Sequence, residues 1–233
     1  MKRRRFRLGR FLLLLALVLG IGVLFREGWI PGRYSPLPPI DLAEAPSWLL
    51  DWRLAEIRRD PQLCRRTLKK PQIVAASVPD RSYKIGCGWK NAVRITEVGG
   101  ARLSATMTCE MAAALALWMV HDVQPLAQEL LKSRVVAVRS LGTYACRNIV
   151  GPLSFMKSEH ASANALDVAG FVLADGRTLS LTRHWSAKGP ESQFLRALHI
   201  RACRYFRVTL GPEANKYHRD HFHFDRGILS TCR

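Results

Sequence analysis

The stretch Tyr217-His218-Arg219-Asp220-His221-Phe222-His223-Phe224-Asp225 constrains this chain more than any other. Three of the seven histidines fall within six residues, interleaved with aromatics and carboxylates. Imidazoles are costly to bury without partners, so the segment needs a use for them. Read as an extended strand, it alternates with period two: His221, His223 and Asp225 on one face, Phe222 and Phe224 on the other. The phenylalanines then anchor the strand in a core while the imidazole nitrogens converge on one point. First-row divalent metals are held in this way.

One strand does not complete such a site, and Ser158-Glu159-His160-Ala161-Ser162-Ala163-Asn164-Ala165-Leu166-Asp167 offers what is missing. Asp167 opens the apolar run Val168 to Leu173, which reads as a strand. His160, Asp167 and His223 are therefore the expected metal ligands. Three protein ligands with a fourth position left for water is the arrangement of catalytic zinc, Zn2+, whereas closed structural sites use four, often cysteines.

In these two stretches the chain resembles the LAS group of zinc peptidases, named for lysostaphin, D-Ala-D-Ala metallopeptidases and Sonic hedgehog. The pairing of His-x6-Asp with His-x-x-His-x-His is most similar to the penicillin-insensitive murein endopeptidase pattern. From about Pro36 onward the chain also resembles the bacterial extensin-like C-terminal domain family. The matching residues are Gly86-Cys87-Gly88, Cys109 followed by Trp118, Tyr144-Ala145-Cys146-Arg147-Asn148, Ser158-Glu159-His160-Ala161, Ala165 through Phe171, and Leu210-Gly211-Pro212 through His223. Ala163 stands where the pattern usually has Gly.

The resemblance implies an α+β fold in which a small antiparallel sheet carries the metal site and helices flank it. It implies His218 as general base, at an ordinary pKa of about 6.5. His221 would orient a ligand or donate to a developing oxyanion, and Arg147 would face the substrate, binding a carboxylate or the oxyanion. Asp225 is expected to hold the outer nitrogen of a ligating histidine, and Ser158 and Glu159 to fix the loop around His160. Asp220 ranks below the histidines because a regular strand points it to the opposite face.

Residues Lys2 to Arg10 contain six basic side chains and no acid, and Phe11 to Phe25 form an uninterrupted apolar run of 15 residues. This is the layout of an export signal, either an uncleaved signal anchor in the inner membrane through residues 11–25 or a removed signal peptide, within 1–27. As a helix the run is about 22 Å long, short of a hydrocarbon core of roughly 30 Å. Residues 28–40, with four prolines, read as a stiff linker, and 41–233 as one domain at the periplasmic face of that membrane, or free in the periplasm if cleaved. Six dispersed cysteines with no C-x-x-C pair agree with export and favour up to three disulfides of unread pairing.

The net charge of +18 suits anionic polymers such as the cell wall or lipid head groups. Nucleic acid is set aside, because the cations are spread along the chain without a binding motif. In order, the sequence predicts a helix over Trp48 to Arg59 capped by Ser47, with Trp48, Trp52, Ala55 and Ile57 as its apolar stripe, and a short helix after Asp60-Pro61. Strands follow over Ser82 to Trp89 and Ala92 to Val98, then a buried helix from Thr108 to Val120 ending at His121, and a second helix capped by Asp122. Val135 to Leu141 is a strand, Asp175-Gly176 a type I′ turn, and Glu191 to Phe206 a helix. Together with export, the resemblance to the LAS peptidases implies zinc-dependent hydrolysis of peptide cross-links in peptidoglycan. The rival is a zinc-containing wall-binding or structural module without turnover.

Overall fold

The computed structural model describes residues 2–26, 29, 38–83 and 86–233. The expected linker therefore lies largely outside the described residues, as do two positions of the expected strand Ser82 to Trp89.

Strands β1 (Ile73–Ser77), β4 (Ala92–Val98) and β5 (Ala101–Thr108) make one antiparallel end of the main sheet. Between β4 and β5 the chain turns at Gly99, where φ is +54° and a Cβ would lie 2.8 Å from that of Met119. Both the left-handed backbone and the close approach require glycine. β6 (Val135–Gly142) lies parallel to β5 and antiparallel to β7 (Ala165–Leu173). The first half of β7 pairs with β10 (Phe222–Asp225), and its second half with β8 (Thr178–Ser180). β9 (Val208–Leu210) and β11 (Thr231–Cys232) follow beyond β10.

The result is a nine-stranded mixed sheet of order β1-β4-β5-β6-β7-β10-β9-β11, with β8 beside β7. The fold is α+β, but the sheet is neither small nor wholly antiparallel as expected. The reason is the connection from β5 to β6, which crosses over through a long helix, and a crossover of that kind delivers a parallel neighbour. A separate two-stranded hairpin, β2 (Arg81–Ser82) with β3 (Gly88–Trp89), is what remains of the longer strand predicted there.

The crossover begins as α4 (Cys109–Trp118), in which every residue is buried and Thr108 caps the N-terminus by accepting from Met111 N. It does not stop at Val120. A π-helical turn (Met119–Val123), the short α5 (Gln124–Leu126) and a second π turn (Ala127–Leu131) carry it to left-handed Lys132. Asp122 is thus no cap; its carboxylate accepts from Arg201 and from the Tyr205 hydroxyl. His121 hydrogen-bonds to the Leu42 carbonyl. Trp118 packs against Phe171, Phe206 and Phe224 at ring separations of 5.0–6.3 Å, which places the core on this face of β7 and β10.

The remaining helices are α1 (Lys2–Arg26), α2 (Leu50–Glu56), α3 (Pro61–Thr67), α6 (Leu181–His184) and α7 (Pro190–Ala202). α2 is shorter than predicted and has no side-chain cap from Ser47; it buries Leu50, Leu54 and Ala55 while Trp48 is 90% exposed. α3 follows Asp60-Pro61 as predicted, with Asp60 as its cap; α7 buries Phe194, Leu195, Leu198 and Ala202 and ends at Ala202, short of the predicted Phe206. At Asp175-Gly176 only Gly176 has positive φ, +89°, so the hairpin uses a type I turn closed by glycine instead of type I′. α1 carries the apolar run as one continuous helix with its leucines exposed. Among the described residues, however, no helix is long and apolar enough to cross a membrane, so the anchor expectation gains no spanning segment.

Three disulfides, Cys64–Cys109, Cys87–Cys146 and Cys203–Cys232, use all six cysteines. They suit an extracellular or periplasmic domain. Behind the end of β10 lies a buried ionic cluster: Glu110 accepts from Arg58 and Arg226, and Asp51 from Arg207 and Arg226. It ties α2 and α4 to the residue that follows β10.

Candidate metal centre

The alternation that sends Phe222 and Phe224 into the core sends His223 and Asp225 to the other face of the sheet. Both phenylalanines are fully buried. Directly across the β7–β10 ladder, Asp167 is the register partner of His223. His160 arrives from a 3-10 turn (Glu159–Ser162) just before β7. Ser158 accepts from His160 N at its start, and Glu159 accepts from Asn164 Nδ2 at 2.8 Å, so both fix this turn as expected. Ala163 closes it at φ +54°, the left-handed conformation that explains why glycine is usual there.

These three side chains meet. His223 Nδ1 is 2.9 Å from Asp167 Oδ1, His160 Nε2 is 3.2 Å from Asp167 Oδ2, and the two inner nitrogens are 3.2 Å apart. His160 is 3% and His223 8% exposed. The outer nitrogen of each ring is already engaged: His160 Nδ1 donates to Thr143 O at 3.3 Å and His223 Nε2 to Asp225 Oδ2 at 3.1 Å. Those oxygens only accept, which fixes the tautomers and turns one lone pair of each ring inward. Two lone pairs and a carboxylate within 3.2 Å need a cation between them. Tetrahedral ligands at zinc bond lengths of 2.0–2.1 Å stand about 3.3 Å apart, so the donor set fits that ion. The group could hold a metal.

Without a metal the cation is a proton. Burial works against a charged His223, but its hydrogen bonds to Asp167 and Asp225 raise it to about 9. Burial also disfavours charge on Asp167, yet the His160 and His223 rings beside it hold its carboxyl well below the usual carboxylate range.

Two further histidines stand over the centre. His221 Nδ1 donates to Asp220 Oδ1 at 2.8 Å and leaves Nε2 3.7 Å from Asp167. His218 Nδ1 donates to Asn215 Oδ1 at 2.8 Å, an atom identified as oxygen because Tyr217 N also donates to it. His218 Nε2 is then a bare acceptor. Its ring lies 5.1 Å from that of His221 and 5.6 Å from that of His223. Burial, then the charges of His223 and His221, lower His218 to about 4, in place of the ordinary value that the sequence suggested. Asp167, Asn215, His218, His221 and His223 line a cavity of about 680 Å³, and the exposed Arg147 lines it too.

Asp220 corrects an expectation. Residues 217–221 form turns, and β10 begins only at Phe222, so strand alternation does not govern Asp220 and it reaches the His221 ring. Asn215 and Thr143 were not recognised. Asn215 has a faint signal, an Asx residue three before a histidine, while a backbone acceptor such as Thr143 O leaves no trace in side-chain identity. His184 and His199 stay away from the centre; one bonds within its own turn, and the other stacks on Phe222 and reaches Arg233 O.

A family model described as the extensin-like protein C-terminus matches residues 62–233. No curated protein and no solved structure matches the chain.

Proposed function

Taking as premise that the chain belongs to the extensin-like C-terminal family, we propose that it is an exported zinc-dependent hydrolase acting on peptide cross-links of peptidoglycan. The observation that carries this reading is the inward set of His160 Nε2, His223 Nδ1 and Asp167, with every outer nitrogen tied down and a cavity above it. A divalent ion held there supplies Lewis acidity that polarises a peptide carbonyl and acidifies a water.

The chain's own groups do the rest. His218 is neutral at pH 7, and its Nε2 takes the proton from the attacking water while Asn215 keeps Nδ1–H in place. Asp220 holds His221 so that Nε2 faces the centre, where it orients Asp167 or steadies charge on the substrate oxygen. Arg147, with Lys157 and Arg233 in the same cavity, binds the carboxylates of the substrate peptide. The three disulfides and the basic N-terminal helix support a periplasmic location, with residues 11–25 associating with the inner membrane. Incubation of the zinc-loaded protein with purified peptidoglycan, followed by mass analysis, should release peptides whose ends identify the bond cut. Release of nothing would leave a wall module without turnover.

A further inference from the structure

A second cavity, of about 840 Å³, adjoins the first: Glu159, Gly227 and Ile228 line both. Its outer wall is the β2–β3 hairpin, which presents exposed Arg81 and Lys90 beside half-buried Trp89, with exposed Arg59 on the same cavity. The hairpin is built firmly. Gly88, at φ +127°, sits so close to Arg81 that a Cβ would meet its carbonyl oxygen at 2.1 Å. Trp89 Nε1 donates to Pro79 O at 3.1 Å, its ring meets Tyr144 edge-on at 5.1 Å, and the Arg81 guanidinium stands 5.4 Å from its centre. The Cys87–Cys146 disulfide fastens the hairpin to the segment that carries Arg147.

The metal centre uses none of this. Cations lie at both ends of the joined cavities: Arg59, Arg81 and Lys90 in one, Arg147, Lys157 and Arg233 in the other. Two acids line the second cavity as well, and each is engaged: Asp80 accepts from Asn91 N at 2.9 Å and Glu159 from Asn164 Nδ2 at 2.8 Å. A long anionic ligand passing over Glu159, Gly227 and Ile228, which line both cavities, would meet cations of either one. An indole beside a guanidinium adds a large apolar surface on which a ring can pack.

We propose that this second cavity is a binding site for an acidic glycan strand, whose sugar rings pack on Trp89 and whose carboxylates pair with Arg81 and Lys90. The identity of the strand rests on the reading that peptidoglycan is the substrate: the peptide on one sugar enters the first cavity, while neighbouring sugars of the same strand whose carboxylates carry no peptide lie in the second. Binding energy gathered away from the scissile bond then positions that bond.

The test uses the full-length protein and two probes: peptidoglycan glycan strands stripped of their peptides, which carry free carboxylates, and a neutral oligomer of β-1,4-linked N-acetylglucosamine. The acidic strands should bind at least tenfold more tightly, and their affinity should fall as salt rises. Arg81→Ala with Lys90→Ala should weaken that binding about tenfold, equivalent to about 1.4 kcal/mol, with unchanged metal content and unchanged rate on a short peptide. Trp89→Ala should weaken both probes. Equal binding of the two probes, or an unaltered affinity in the double variant, overturns the inference even if peptides are hydrolysed. Strand binding that responds as described, with no hydrolysis of any peptide, upholds it and sinks the hydrolase reading.

Discussion

Asp167 and His223 are direct cross-strand partners in the antiparallel β7–β10 ladder, with His223 Nδ1 2.9 Å from Asp167 Oδ1. A slip of one residue would turn His223 into the core and Phe222 or Phe224 out of it. The candidate metal centre and the hydrophobic core are therefore set by one register. Phe224 stacks on Phe206 at 4.6 Å and packs against Trp118, and these contacts hold His223 where it is needed.

His218→Ala should retain the metal and lose about 10²- to 10⁴-fold in peptide hydrolysis, the usual contribution of a positioned base. Parallel measurement of bound zinc and turnover checks this, and undiminished turnover would remove His218 from the mechanism.

Metal affinity should depend on pH with a definite sign. In the metal-free protein His223 titrates near 9, above its unfolded value of about 6.5. Its proton therefore stabilises the apo fold fully below pH 6.5, and that contribution is lost as pH rises through 9. A metal must displace this proton, so zinc affinity should rise about tenfold per pH unit from pH 7 and level off near 9. Competition titrations with a chelator at several pH values measure the slope.

Glu110→Ala should destabilise the fold by about 3–5 kcal/mol, because it leaves the fully buried Arg226 guanidinium short of a counter-charge. For a chain of this size that lowers Tm by about 10 °C in a thermal melt. Metal binding should weaken as well, since Arg226 follows Asp225, which holds the outer nitrogen of His223.

Ala163→Gly should raise stability by about 0.5–1 kcal/mol. Ala163 sits at φ +54°, where its Cβ is strained and glycine is not, and the gain is limited by the flexibility glycine adds to the unfolded chain. Urea unfolding of the two proteins measures the difference.

The convergence of His160, Asp167 and His223 was legible because it is carried by side-chain identity and by strand period. Phe222 and Phe224 announce the buried face of β10, and His223 follows on the other. β4, β6 and α7 were legible for the same reason. What escaped was decided elsewhere. Trp48 looked like core but is exposed, since α2 begins only at Leu50 and buries Leu50 and Leu54 instead. Asp122 looked like a cap, but two π turns keep the helix going past it. β1 is too short and only partly buried to stand out. Asp220 depended on a turn geometry that alternation cannot foresee, and Thr143 contributes only its backbone.

The central claim is that one cation is shared by His160, Asp167 and His223. Quantitative metal analysis of the purified protein, beside His160→Ala and His223→Ala, tests it most directly. The wild type should carry close to one equivalent of zinc and each variant almost none, with the disulfides intact in all three. Equal metal in the variants, or none in a wild type exposed to excess zinc, would contradict the account.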